Sequence, residues 1–242
     1  MKKILVIGES CKDVFVYCDS IRLAPDVPVP ILQITETTEN PGMASNVLRN
    51  IISHVSDCEI ETNSGWENIS KTRYVHAKSN HLFFRVDSSD KIKRIDLNQI
   101  NLDYEYIVIT DYNKGYLSED DILKICKAHS RVFLDTKKIL GPWAQSAMYI
   151  KINDYEYRNS MPYITDNFKD KIIHTKGGDG CEFQGKEFLV EKIEVIDTSG
   201  AGDSFMAALV VKYSQTEDII ESINFANACA SEVVRHRGVG VI

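Results

Sequence analysis

The sequence predicts an α/β chain, a mostly parallel sheet covered on both sides by helices. Three observations predict it. Ile4 to Ile7 is a short continuous apolar run, as in a strand buried on both faces. Ala44, Val47, Leu48, Ile51, Ile52 and Val55 recur at helical spacing and make a firm amphipathic helix. From Tyr104 onward, strand-like and helix-like runs alternate, as they do when parallel strands are joined by crossover helices.

The elements follow in order. Met1 to Ile7 starts like a leader, but Gly8-Glu9-Ser10 ends the apolar run, so it reads as a first strand. Val14 to Tyr17 and Ile31 to Thr37 flank a proline-rich turn (Pro25, Pro28, Pro30) and suggest an exposed hairpin. Pro41-Gly42 then breaks the chain before the first helix. Lys71 to Ala77 and His81 to Asp87 alternate as half-buried strands, which suits a small side sheet. Strand Tyr104–Thr110 precedes helix Ser118–His129, which Ser118 and Asp121 open as a capping box. Strands Arg131–Asp135, Met148–Ile152 and Lys171–Thr175 come next, then a hairpin over Gly180–Ile196. A helix runs on from Phe205, and a last one covers Glu217–Arg235 with Thr216 as its expected cap. There is no internal repeat.

Composition narrows the function. The chain has 242 residues, enough for one large domain, and 43% hydrophobic content supports a real core. A net charge of -7 argues against nucleic acid or an anionic membrane as partner. The six cysteines are scattered, with no CxxC pair, and read as reduced thiols of a cytoplasmic protein. No apolar run approaches the ~18 residues of a membrane span.

The most informative stretch is Asp197-Thr198-Ser199-Gly200-Ala201-Gly202-Asp203. It lies between an apolar strand-like run, Phe188 to Ile196, and the apolar helix-like run Phe205 to Tyr213. Glycines at such a turn let the backbone approach a ligand closely. The first N–H groups of a helix lack internal partners and carry partial positive charge, so phosphate is their natural occupant. Asp203 puts a carboxylate beside that anion hole, and a base next to an anion hole is what phosphoryl transfer to a hydroxyl requires. The plainer account is a helix start capped by Thr198 or Ser199, with Asp203 favouring the dipole.

Four separated, ordered motifs weigh against the plainer account. They are Gly8-Glu9-Ser10-Cys11-Lys12-Asp13 with Pro28-Val29-Pro30, and Asn40-Pro41-Gly42-Met43-Ala44-Ser45-Asn46-Val47. Lys71-Thr72-Arg73 through Leu82–Asp87 with Asp111-Tyr112-Asn113-Lys114-Gly115 is the third, and Asp197–Asp203 the fourth. With them the chain resembles the PfkB (ribokinase-like) carbohydrate kinases, above all the kinase domain of bacterial heptose 7-phosphate kinases. The resemblance spans nearly the whole chain as a single kinase domain, residues 1–242. It implies a ribokinase-like, three-layer Rossmann-like core with a small β-sheet lid from segments near 14–37 and 71–87. It also implies ATP and Mg²⁺, a sugar or sugar-phosphate acceptor, and a homodimer through the lid. No nucleotidyltransferase segment is read after Ile242. The chain departs from the family in being roughly a quarter shorter than a typical member, taking usual domain length as a prior. The losses fall between Glu61 and Lys71 and after Tyr157, and Met43 stands where the family has a second glycine. A weakened, non-catalytic sugar- or nucleotide-binding protein is the alternative these departures suggest.

The resemblance also assigns roles. Asp203 is the general base, and Gly200, Ala201 and Gly202 form the anion hole. That allows a kinase with no Walker A motif, which is absent here. Asp13, Gly42 and Asn46 sit on the sugar side, where turn and cap roles are the plain alternative. Arg85 and Lys114 would meet an anionic end of the substrate, or be solvated. Asn153 and Glu156, an NxxE pair, would lie near magnesium, or Asn153 would cap a helix. Lys176, Thr198 and Asn227 fall on the nucleotide side, with Asn227 alternatively a satisfied core polar group. The first turn is not GxGxxG, so a nicotinamide dehydrogenase is discounted.

Overall fold

The computed structural model describes residues 3–88 and 91–241. Strand β1 (Ile4–Gly8) is buried along its whole length. Its alternate residues serve two cores. Ile4 and Val6 join the cluster built with the later helices, and Leu5 and Ile7 join the cluster on the other face. The period-2 alternation of a strand therefore puts the sheet in the middle layer.

Helix α1 (Ala44–Ile52) packs on one face through Ala44, Val47 and Ile51. The same face carries α4 (Ala201–Thr216) and α5 (Ile219–Val233). The other face carries α2 (Glu119–Ala128), which is opened by the expected capping box of Ser118 and Asp121. Helix α3 (Asp154–Ser160) has only seven residues.

The main sheet has eight strands in the order β12-β11-β10-β9-β8-β7-β1-β4. Strands β4 (Cys58–Glu61), β1, β7 (Tyr106–Asp111), β8 (Val132–Thr136), β9 (Tyr149–Asn153) and β10 (Ile172–Thr175) run parallel. The edge pair β11 (Cys181–Phe183) and β12 (Lys186–Phe188) is antiparallel. A second sheet has the order β3-β2-β5-β6, from β2 (Ser10–Asp19), β3 (Gln33–Met43), β5 (Ser70–His76) and β6 (Leu82–Asp87). Parallel strands place their C-terminal ends on one rim of the main sheet, and the smaller sheet stands beside that rim.

Four expectations are corrected. The hairpin of Gly180–Ile196 shrinks to two three-residue strands, because residues 189–196 find no ladder partner and run exposed beside the cleft. Pro41-Gly42 does not break the chain but ends β3, an edge strand, where a residue without an N–H is tolerated. Strand β2 is buried rather than exposed, because it pairs on both sides, with β3 and with β5. Asp218, not Thr216, caps α5, since Thr216 still belongs to α4 and the Asp218 carboxylate accepts from Ile220 N and Glu221 N.

Candidate active site

The C-terminal rim of β8, β9 and β10, the smaller sheet and the start of α4 enclose a cavity of about 1120 Å³. Ligands in open α/β sheets bind at this end of the strands. Asp203 and Asp13 both line it, as do Gly200, Ala201, Gly202 and Thr198.

Helix α4 starts at Gly200, whose φ of 79° is open to glycine and costly for other residues. A Cβ there would lie 2.9 Å from Val239 Cγ1 and 3.0 Å from Asn46 Nδ2. No side chain caps α4, so the expected Thr198 or Ser199 cap is not formed. The Thr198 carbonyl instead accepts from Ala201 N, and Ser199 N donates to Asp197 Oδ1. Asp197 braces the turn further by accepting from Gly238 N through its other oxygen. Gly200, Ala201 and Gly202 line the cavity, and no side chain caps the start of α4.

Asp203 is 8% exposed. One of its oxygens accepts from Asn46 Nδ2 at 3.0 Å, and the other accepts from the Tyr112 hydroxyl. Burial pushes its carboxyl above the usual range, while the bonds from Tyr112 and Asn46 work in the opposite sense. Nearby, Lys151 Nζ donates to Asp135 Oδ2 at 2.7 Å. Lys151 also stands 3.1 Å from where a Cβ on Gly202 would be, which brings a cation under the first turn of α4.

Asp13 faces the cavity from β2 and pairs with Arg73 Nη1 at 2.5 Å. Gly42 makes room for it, since a Cβ at that position would sit 2.4 Å from Asp13 Oδ2. Met43 follows with φ 60° and ψ -128°, a strained backbone for a residue with a side chain. Arg85 lines the cavity opposite Arg73, with its guanidinium 2.7 Å from Asp87. Lys71 completes a cationic wall on this side.

Other expected residues lie elsewhere. Asn46 is fully buried beneath Asp203 rather than in the cavity wall. Lys114 is exposed and outside the cavity, because Glu9 Oε1 holds its backbone N–H at 2.9 Å in the loop after β7. Lys176 turns to Glu182 at 2.7 Å on the β11 hairpin. Asn227 reaches the wall, but its amide donates to Phe188 O at 3.0 Å. The NxxE pair forms a capping box for α3, and Glu156 also accepts Lys137 Nζ at 2.5 Å. Its oxygens are thereby taken up.

The sequence reading passed over Tyr112, Asp135, Lys137 and Lys151. Tyr112 and Lys137 stand just past β7 and β8, Asp135 is the next-to-last residue of β8 and Lys151 the middle residue of β9, so a polar residue in or just after an apolar parallel strand was the available signal. Asp135 is 4% exposed and its Oδ1 has no hydrogen-bond partner among the described residues.

The model of the pfkB family of carbohydrate kinases matches residues 151–241. The bifunctional protein HldE of Helicobacter acinonychis is 27% identical over 98% of this chain, and that of Helicobacter pylori J99 is 26% identical over 98%. The chain spans 64% of the length of each. Among solved structures, Thermotoga maritima ribokinase superposes with a TM-score of 0.74 at 18% identity, covering 99% of this chain and 95% of its own. A phosphofructokinase-2 mutant of Escherichia coli gives 0.72 at 13% identity, covering 100% and 96%. The fold is therefore that of the ribokinase-like kinases. Over residues 151–241 the chain is similar to the pfkB family of carbohydrate kinases.

Proposed function

We propose that this chain transfers the γ-phosphoryl group of ATP to a hydroxyl of a sugar phosphate. The observation that carries the reading is the meeting of Asp203, the Gly200–Gly202 turn, which no side chain caps, and Asp13 on one cavity. Asp203 takes the proton of the attacking hydroxyl. The amides at the start of α4, with Lys151 beneath them, stabilise charge on the moving phosphoryl. Asn46 orients the base from below, and Asp13, held by Arg73, reads sugar hydroxyls.

Lys71, Arg73 and Arg85 in the wall support an anionic acceptor. Heptose 7-phosphate is the first candidate, following the motif resemblance and the HldE relatives. The NxxE pair does not fit direct ligation of magnesium. The open Asp135 Oδ1 does, being a hard oxygen donor in the cavity wall. When bound, the ion would neutralise charge on the nucleotide phosphates. Thr198 and Asn227 border the cavity on the side assigned to the nucleotide. The reading includes a cytoplasmic homodimer, supported by six free thiols and by exposed Leu82, Phe84 and Val86 on the edge strand of the smaller sheet. Among the described residues no helix is long and apolar enough to cross a membrane.

The test is ATP turnover with heptose, ribose and fructose phosphates. Turnover that depends on one of them is expected, whereas ligand binding without transfer to any acceptor would overturn the proposal in favour of a non-catalytic protein.

A further inference from the structure

A base beside an anion hole faces a problem of selectivity. With ATP in place and no sugar, water can take the acceptor's position. Its oxygen would attack the γ-phosphorus as its proton passes to Asp203, the bond to ADP would break, and phosphate would be wasted. Any hydroxyl that Asp203 activates must first donate a hydrogen bond to it.

In this structure a hydroxyl already does. Tyr112 Oη donates to Asp203 Oδ1, while Asn46 occupies Oδ2. The backbone of Tyr112 is pinned from behind. The fully buried Glu9 accepts from Tyr112 N at 2.8 Å and from Lys114 N at 2.9 Å. The ring itself borders the cavity, with Lys71 Nζ 5.2 Å and Lys137 Nζ 5.7 Å from its centroid. Cations near a ring attract it. These two ammonium groups line the same cavity, so an arriving phosphate would draw on the charges that hold the ring. Burial and the Asp203 charge keep the phenol well above its ordinary pKa, so it is a neutral donor, not a phenolate.

We propose that Tyr112 sets the selectivity of the enzyme for a sugar hydroxyl over water, its phenol holding the acceptor's place on Asp203 until the sugar displaces it. The inference rests on Asp203 being the base.

The experiment uses the full chain with Tyr112→Phe, Asp203→Asn and the double variant, each checked by thermal melting. Phosphate release from Mg-ATP is measured without sugar, and KM for the best acceptor of the sugar-phosphate panel is measured beside it. Tyr112→Phe is expected to hydrolyse ATP roughly tenfold faster than the parent and to lower KM, the scale of one hydrogen bond to a charged group. The gain is expected to vanish in the double variant. Unchanged hydrolysis with a lower kcat on sugar would overturn the proposal and leave Tyr112 a positioning residue for Asp203. Phosphate found on Tyr112 by mass spectrometry after ATP treatment would also overturn it. Sugar turnover surviving in Asp203→Asn would remove the base itself, a failure distinct from a silent Tyr112→Phe. If Tyr112→Phe does not fold, fluorotyrosine placed at position 112 alone provides the second measurement. Its ¹⁹F resonance must shift when the sugar phosphate binds, and a resonance that stays put would overturn the proposal.

Discussion

At Gly42 one missing carbon makes room for Asp13, the proposed reader of sugar hydroxyls. Adding a Cβ would bring it within 2.4 Å of Asp13 Oδ2 and 3.0 Å of Cys11 Sγ, so Asp13 must leave its place or the strand must move. Gly42→Ala is expected to cost about 1–3 kcal/mol, the usual scale of overpacking. It should also raise KM for the sugar, to be measured by steady-state kinetics and denaturant melts. Asp203 gives a second expectation. Burial, the largest cause, lifts its carboxyl above the ordinary value, and a base must be ionised to work. Activity is therefore full above the raised pKa and lost as pH falls through it. The acid limb of kcat/KM should lie above the ~3.9 of an unperturbed aspartate. A limb at or below that value would contradict the burial argument. At this scale the short motifs pointed to Asp203, Asp13, Gly200 and Gly202, which all line one cavity. It did not point to Asp135 or Lys151, because their pairing depends on two neighbouring parallel strands lying side by side, which no local pattern encodes.

The elements were legible where periodicity was long and their ends were marked by capping chemistry. Helix α2 was readable from both, and its cap is a fair target. Ser118→Ala should cost about 1–2 kcal/mol, read as a lowered denaturation midpoint. Burial alone would raise Asp121, but Arg94 and Ser118 hold it down to about 2. A depressed carboxylate contributes stability above its unfolded pKa, and that stability is lost as pH falls toward 2. Arg94→Ala should therefore move the acid-unfolding midpoint to higher pH. At the start of α4 the same logic reverses. The proposed anion hole needs the side-chain cap to be absent, and Gly200→Ala would introduce both a costly positive φ and a contact at 2.9 Å with Val239. The run Phe188 to Ile196 misled the strand reading, since apolar alternation marks residues that could pair, not residues that find a partner. NxxE was ambiguous for a related reason, because an asparagine followed three residues later by a glutamate is also a helix cap.

For the whole molecule, the alternation of strands and helices was enough to place the sheet between two helical layers, and the second sheet was visible as a change from buried runs to half-buried alternation. The cavity between them was not visible, since it arises from assembling segments as distant in sequence as Asp13 and Asp203. Ligands that bridge those segments should stabilise the fold by mass action. At 100 times Kd a ligand contributes about 2.7 kcal/mol, which for a chain of this size corresponds to roughly 5–10 °C in Tm. ATP with the sugar phosphate should give that rise, and neither should shift a variant whose cleft is blocked. The central claim, that an ionised Asp203 beside the bare start of α4 performs the transfer, is tested most directly by kcat of Asp203→Asn with both substrates at saturation and their binding checked by calorimetry. A loss of about 10²–10⁴ in kcat with both ligands still bound is the expected result. An Asp203→Asn enzyme that turns over within a few-fold of its parent would contradict it.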